Sequence, residues 1–259
     1  MFKAQVLVAH RIALALFFAA LFALAAVNMQ WDWIPDYAAK ILQGLAKTIV
    51  LLISTSIAGF ILCIPIALAQ VCGPKPLAWL AHKFCTIIRG TPLLLQIWLL
   101  YYGLGSIFPY VPGLREAWIW PYLIDPWPYA FVALTLSFAG YEGETMRGAF
   151  AGVAKGELEA GHALGMHPFT ILRRIWLPRA IQRVLPTLNG ELILQLKATP
   201  LVATIAVVDT YAIFARIRQE TYIIYEPLLL LALTYLLLAG LITLLCKYFE
   251  AKSRARLSS

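Results

Sequence analysis

Glu142, Glu144, Glu191 and Lys197 lie inside stretches of sequence that are otherwise apolar. An ionised group near the middle of a bilayer costs roughly 2.5–3.5 kcal/mol on insertion scales, so such groups normally face protein or water. Glu144 and Arg147 are three residues apart and meet on one helical face, which suits a structural ion pair. Glu142 sits about 200° around the same helix from Glu144 and cannot share that partner. Two readings stay open for it: a carboxylate that meets a cationic substrate in a pathway, or a structural partner for Lys197. Lys197 in turn either contacts a substrate carboxylate or pairs with Glu142 or Glu144, holding a bend three residues before Pro200. Glu191 is read as reaching the headgroup zone. None of this is covalent chemistry. His10, His82, His162 and His167 form no metal constellation, and the four cysteines, Cys63, Cys72, Cys85 and Cys246, lack ligand spacing. No catalytic residue and no metal site are expected.

A second constellation is mechanical. About 36 polar, basic-flanked residues separate two apolar stretches and contain Glu159-Ala160-Gly161-His162-Ala163-Leu164-Gly165, then Ile175-Trp176-Leu177-Pro178 after nine residues. Gly156 opens this segment, and Glu157 and Glu159 stand where a helix dipole favours acids. Gly165 suits a left-handed C-terminal cap, and Pro168 prevents simple continuation. The punctuation predicts a helix of about two turns, a break, and a second short helix from Phe169 to Trp176. Ala160, Gly161 and Ala163 expose little side chain, so another surface could approach closely.

The elements that position these residues are membrane helices. Of 259 residues, 61% are hydrophobic and 13% charged, against about a quarter charged in soluble domains. Runs near the ~20 residues that a crossing requires are Ile12–Val27, Thr48–Val71, Ile87–Phe108, Trp127–Arg147, Val184–Val208 and Pro227–Cys246, six helices in an all-α integral membrane fold. Most of the 21 Lys and Arg fall on one side if the N-terminus is inside, which places both termini in the cytoplasm. The net charge of +8 is assigned to this orientation and not to nucleic acid. The first run is either a retained helix or a signal-like segment, since Ala23-Leu24-Ala25 resembles a cleavage site. The outer aromatics, among them Trp31, Trp33, Tyr110, Trp118 and Tyr122, suit an interfacial belt or an external docking surface. The division expected is 1–44 for a first helix and outer linker, 45–250 for the transmembrane domain and 251–259 for a basic tail.

The spacing from Glu159 to Pro178 resembles the "EAA" loop of permease subunits in binding-protein-dependent ABC importers. Arg89-Gly90-Thr91-Pro92-Leu93 with Gln96 and Tyr101-Tyr102 is similar to a signature of the polar amino acid branch. So are Tyr141, Glu144 and Arg147-Gly148, and Lys197-Ala198-Thr199-Pro200-Leu201. The likeness covers roughly residues 45–250 and points to permeases for histidine, arginine and related basic amino acids or opines, in the bacterial inner membrane. Gly161 departs from the family's second alanine, which loosens that helix by about 1 kcal/mol. Glu142 departs too, because the family usually has a small or neutral residue there.

The resemblance implies a permease that does no chemistry. Two permease subunits, identical or paralogous, would form the pathway, with Glu142, Lys197 and Thr199 as candidates to meet the amino acid. Two cytoplasmic ABC ATPase subunits would bind ATP and Mg and receive the loop of Gly156, Glu159, Ala160, Gly161, His162 and Gly165. A periplasmic solute-binding protein would deliver the substrate, and membrane lipid would surround the helices. No Walker-type glycine loop occurs in this chain, so no cofactor is expected on it. Two rivals are an ion-coupled secondary amino acid carrier, which would account for membrane carboxylates and a broken helix, and an intramembrane enzyme. The first lacks an evident repeat between halves, and the second lacks a nucleophile with a base.

Overall fold

The structure, a computed structural model, describes residues 29–255 and, before them, residues 12, 13, 16, 17, 20 and 23. The expected first span, 12–27, and the end of the basic tail therefore lie largely outside the described residues. Within them every regular element is helical. Among the described residues three helices are long and apolar enough to cross a membrane: α1 (Ile34–Cys72), α3 (Leu93–Tyr110) and Tyr225–Lys252 of α9 (Tyr225–Ala255). A bent pair, α7 (Pro168–Ile205) and α8 (Thr210–Thr221), adds a fourth, with 54° between its halves.

α1 starts at Ile34-Pro35, where a proline costs no helical hydrogen bond. Its 39 residues reach about 58 Å at 1.5 Å per residue. The segment expected to be an outer linker is thus helical from Ile34. It is also docked: Trp33 is buried edge-to-face on Phe214, and the Tyr37 hydroxyl donates to Glu220 at 2.8 Å. Trp33 is a core residue and not part of a lipid-facing belt.

α2 (Lys75–Gly90) and α3 together correct the expected span Ile87–Phe108. Pro92 holds Thr91 extended (φ −116°, ψ 143°), so the chain breaks inside that stretch. Gln96 fastens the break by donating from Nε2 to the Ile88 carbonyl (2.9 Å) and the Thr91 hydroxyl (2.8 Å). A short helix, α4 (Trp120–Ile124), leads into α5 (Pro126–Ala151), which Asp125 caps by accepting from Trp127 N at 2.9 Å.

α5 is the axis of the bundle. Its buried stripe is built of small residues, including Ala130, Ala133, Ser137, Gly140 and Gly143, as suits helices held by close packing in lipid. A Cβ on Gly140 would lie 2.5 Å from Ile88 Cγ2, and one on Gly59 of α1 would lie 2.8 Å from Phe138. Glycine at these crossings lets α1 and α2 pack on α5. Two buried clusters follow, one around Leu51, Leu134 and Val202, the other around Cys63, Met146, Phe150 and Val184.

The span expected at Val184–Val208 begins earlier, at Pro168. No separate helix ends at Trp176. A π-turn over Leu172–Trp176 runs straight into Leu177–Ala198. The wider turn directly precedes Pro178, where it accommodates the ring and the missing N–H without a break. At the other end Pro200 forces tighter 3-10 turns over Thr199–Ile205, and Ala206, at φ +65°, ends them at the 54° bend before α8. Asp209 then caps α8, accepting from Ala212 N at 2.8 Å, and Thr48 of α1 accepts from Thr210 N at 3.0 Å.

Candidate functional site

Two places on the molecule match the constellations in the sequence: a cavity between broken helices, and the insert at one end of the bundle.

The cavity, about 170 Å³, is walled by α2, α3, α5 and α7, and its polar lining is Thr91, Ser137, Tyr141, Glu191 and Gln195. It lies beside the break at Thr91-Pro92 and reaches Ala198, next to the break at Thr199-Pro200. Non-helical backbone at membrane depth is tolerated where protein buries it or where it lines a cavity. The space holds about five waters at ~30 Å³ each. Gln195 fixes the wall, donating to Thr55 Oγ1 at 3.0 Å and to the Leu134 carbonyl at 3.1 Å. Arg89 stands over the Tyr141 ring, 5.9 Å from its centroid, and its field reaches Glu144 and Glu191.

This arrangement reassigns the membrane charges. Glu191 lines the cavity and does not simply extend to headgroups. The signal was available: Glu191 and Gln195 are four apart on α7, as are Ser137 and Tyr141 on α5, so each pair shares one helical face. Glu142 does not line the cavity. It is fully enclosed at 0% exposure, and neither carboxylate oxygen has a hydrogen-bond partner. Lys197 pairs with neither Glu142 nor Glu144, and is exposed on a stripe with Leu194 that borders the cavity. Thr199 is buried, donating to the Leu196 carbonyl at 2.9 Å and sharing a hydrogen bond with Tyr235 at 3.2 Å. It holds α7 to α9 and does not line the cavity. Glu144 accepts from Arg147 Nε at 2.8 Å, an ion pair on one face of α5.

An unpartnered buried carboxyl is destabilising by about 1–3 kcal/mol. Glu142→Met, similar in volume, is therefore expected to raise the melting temperature of the purified chain by a few degrees, at about 2–4 °C per kcal/mol for this size. Thermal unfolding in detergent would measure it. An unchanged or lower midpoint would mean that the carboxyl has a partner in the membrane.

The insert is α6 (Lys155–Ala163), a nine-residue helix, followed by Gly165 at φ +71°. Gly156, Glu159, Ala160, His162 and Gly165 lie on its open side, whereas Gly161 is buried. A Cβ on Gly161 would lie 3.1 Å from Ile175 Cδ1 and 3.2 Å from Ile171 Cγ1. The expectation that Gly161 offers close approach to another surface is corrected: its missing side chain lets α6 lie against its own α7. The sequence reading also passed over two exposed apolar residues beside this helix, Leu164 and Phe169, at 81% and 65% exposure. Arg179 donates to Glu157 at 2.8 Å, tying α6 to α7. Trp176 donates to the Phe150 carbonyl at 2.9 Å with the two rings edge-to-face, tying α7 to α5. A displacement of α6 would therefore pass to the helices that wall the cavity.

Known proteins match this layout. The chain is 33% identical over 211 residues to the nopaline transport system permease protein NocM of Agrobacterium fabrum, covering 82% of this chain and 86% of that one. It is 32% identical over 215 residues to the arginine transport system permease protein ArtQ of Bacillus subtilis, covering 83% and 93%. A crystal structure of an amino acid ABC transporter with histidines contains a chain that superposes with a TM-score of 0.72 at 27% identity, over 87% of this chain and 99% of that one. An inward-facing MetNI methionine ABC transporter shares the fold at a TM-score of 0.68 and 16% identity. Residues 59–255 match the family described as binding-protein-dependent transport system inner membrane component, which takes in the cavity, the insert and the helices joining them, and the chain belongs to that family.

Proposed function

We propose that this chain is the permease subunit of an ATP-driven importer for basic amino acids or opines, and that α6 is the part of it that an ATPase subunit grips. The observation that carries the reading is the build of α6. It is short, exposed on one side through Glu159, Ala160, His162 and Leu164, and fixed on the other by Gly161 and the Glu157–Arg179 pair. A helix held this way transmits a push that a loose loop would absorb. The relatives' names support the substrate class, and Glu191 in the cavity supports a cationic one.

In this reading two such subunits, or this chain and a paralogue, enclose the pathway. Two cytoplasmic ATPases bind ATP and Mg, and their closure swings α6. Through α7 that motion rearranges the broken helices, and a solute-binding protein delivers substrate at the outer mouth. Both termini then lie in the cytoplasm, on the α6 side. This chain's own residues bind and orient substrate, and hydrolysis belongs to the partners.

Reconstitution with its partner subunits in proteoliposomes tests this. Uptake of arginine, histidine, lysine, octopine or nopaline is expected to require ATP and the binding protein, and to exceed uptake of neutral amino acids. Uptake driven by an ion gradient without ATP would instead identify a secondary carrier.

A further inference from the structure

A second cavity system, with a lining distinct from that of the substrate cavity, runs along the outside of the bundle between α1, α7 and α9. Its upper part, about 350 Å³, is walled by apolar stripes at helical spacing: Ile53 and Ile57 on α1, Leu188 and Leu192 on α7, Ile242 and Leu245 on α9. Its lower part, about 520 Å³, shares Leu185 and Phe249 with the upper one and ends at Gln182 and Lys252. The mouth lies at the end of the bundle that carries α6, since Leu177 and Pro178 in its wall directly follow the π-turn beyond the insert. Neither part has a carboxylate in its wall.

The shape is a greasy slot with one cation at its foot. From Lys252 to Ile242 the slot spans ten residues of α9, about 15 Å at 1.5 Å per residue, which is half of a ~30 Å hydrocarbon core. It is therefore one leaflet deep. The Lys252 ammonium is held near the Tyr248 ring, 5.9 Å from its centroid, at the last residue of the apolar stretch Tyr225–Lys252. A wholly apolar protein helix would leave Lys252 without a counter-charge. A phospholipid with an anionic headgroup fills the slot with an acyl chain and places its phosphate at the lysine and at the Gln182 amide. We infer that this groove is a binding site for one anionic phospholipid of the leaflet on the α6 side. A lipid wedged between α7 and α9 would bear directly on the helix that carries α6, so its occupancy would tune the stiffness of that lever.

Native mass spectrometry of the full chain in detergent, with added dioleoylphosphatidylglycerol or dioleoylphosphatidylcholine, tests this without any transport assay, so its outcome is separate from that of the importer reading. The wild-type chain is expected to retain one phosphatidylglycerol about fivefold better than phosphatidylcholine, the gain typical of one basic residue near anionic lipid. Lys252→Ala, at an exposed position, should abolish that preference. Ile57→Trp, also exposed at 56%, should block the slot and reduce retention of both lipids. Equal retention of the two lipids by the wild type, or retention untouched by Ile57→Trp, would overturn the inference. So would a chain dimer that Ile57→Trp dissociates, because a second copy would then fill the groove.

Discussion

Gly161→Leu in the assembled transporter is expected to cut substrate accumulation by about tenfold or more, the effect of roughly 1.4 kcal/mol at the docking step. Membrane insertion and subunit yield should stay near wild type. Even a Cβ at this position would meet Ile175 at 3.1 Å and Ile171 at 3.2 Å, and the rest of a leucine side chain has no space between them. Helix α6 must then tilt away from α7. The tilt stretches the 2.8 Å contact between Glu157 and Arg179 and turns Glu159, Ala160 and His162 out of register with whatever they dock against. Gly161→Ala is the control. Its single methyl needs a shift of only a few tenths of an ångström in two flexible isoleucine ends, and alanine gains about 1 kcal/mol of helix propensity. It should transport like wild type. Parallel assays of ATP hydrolysis and uptake in proteoliposomes separate the possibilities. If Gly161→Leu keeps both at wild-type level and linked, the seat of α6 on α7 does not set coupling.

Much of this lever is legible in the sequence because its parts are local. Gly165 at the C-terminal end and an acid near the start specify a short helix whatever surrounds it, and the structure has that helix at Lys155–Ala163 with Glu157, but not Glu159, in its first turn and Gly165 at φ +71°. Glu144 and Arg147 are likewise three residues apart and needed no tertiary information to meet. Errors arise where a distant contact decides. Gly161 reads as an open face until Ile171 and Ile175 are brought over it. Glu142 reads as either a pathway residue or a partner of Lys197 because the helical period fixes its angle relative to Glu144 but not which neighbour covers that angle. Lys197 reads as a partner for either acid, yet α7 turns it outward. Span ends were misplaced for a different reason. A hydropathy run counts Ile87–Phe108 as continuous, although Pro92 breaks it, and starts the next span at Val184, although a π-turn carries that helix back to Pro168. Proline has opposite consequences at these two places, and only the surrounding hydrogen bonds decide which.

The charge that should matter most for selectivity is accordingly Glu191. Glu191→Gln keeps size and hydrogen-bonding capacity but removes the negative charge from the wall shared with Thr91, Ser137 and Tyr141. A charge-assisted hydrogen bond to a substrate cation is worth about 1.5–3 kcal/mol. Uptake of arginine or lysine should therefore fall by about ten- to a hundredfold relative to a neutral amino acid in the same vesicles. Glu142→Gln, fully buried and absent from the cavity wall, should leave that ratio unchanged. The ratio is the useful readout, because a change in folding or assembly lowers uptake of every substrate together. An equal loss of basic and neutral uptake in Glu191→Gln would make Glu191 a structural residue that Arg89 neutralises. A shifted ratio in Glu142→Gln would return the pathway role to Glu142, through a conformation in which α5 turns that carboxylate toward the substrate.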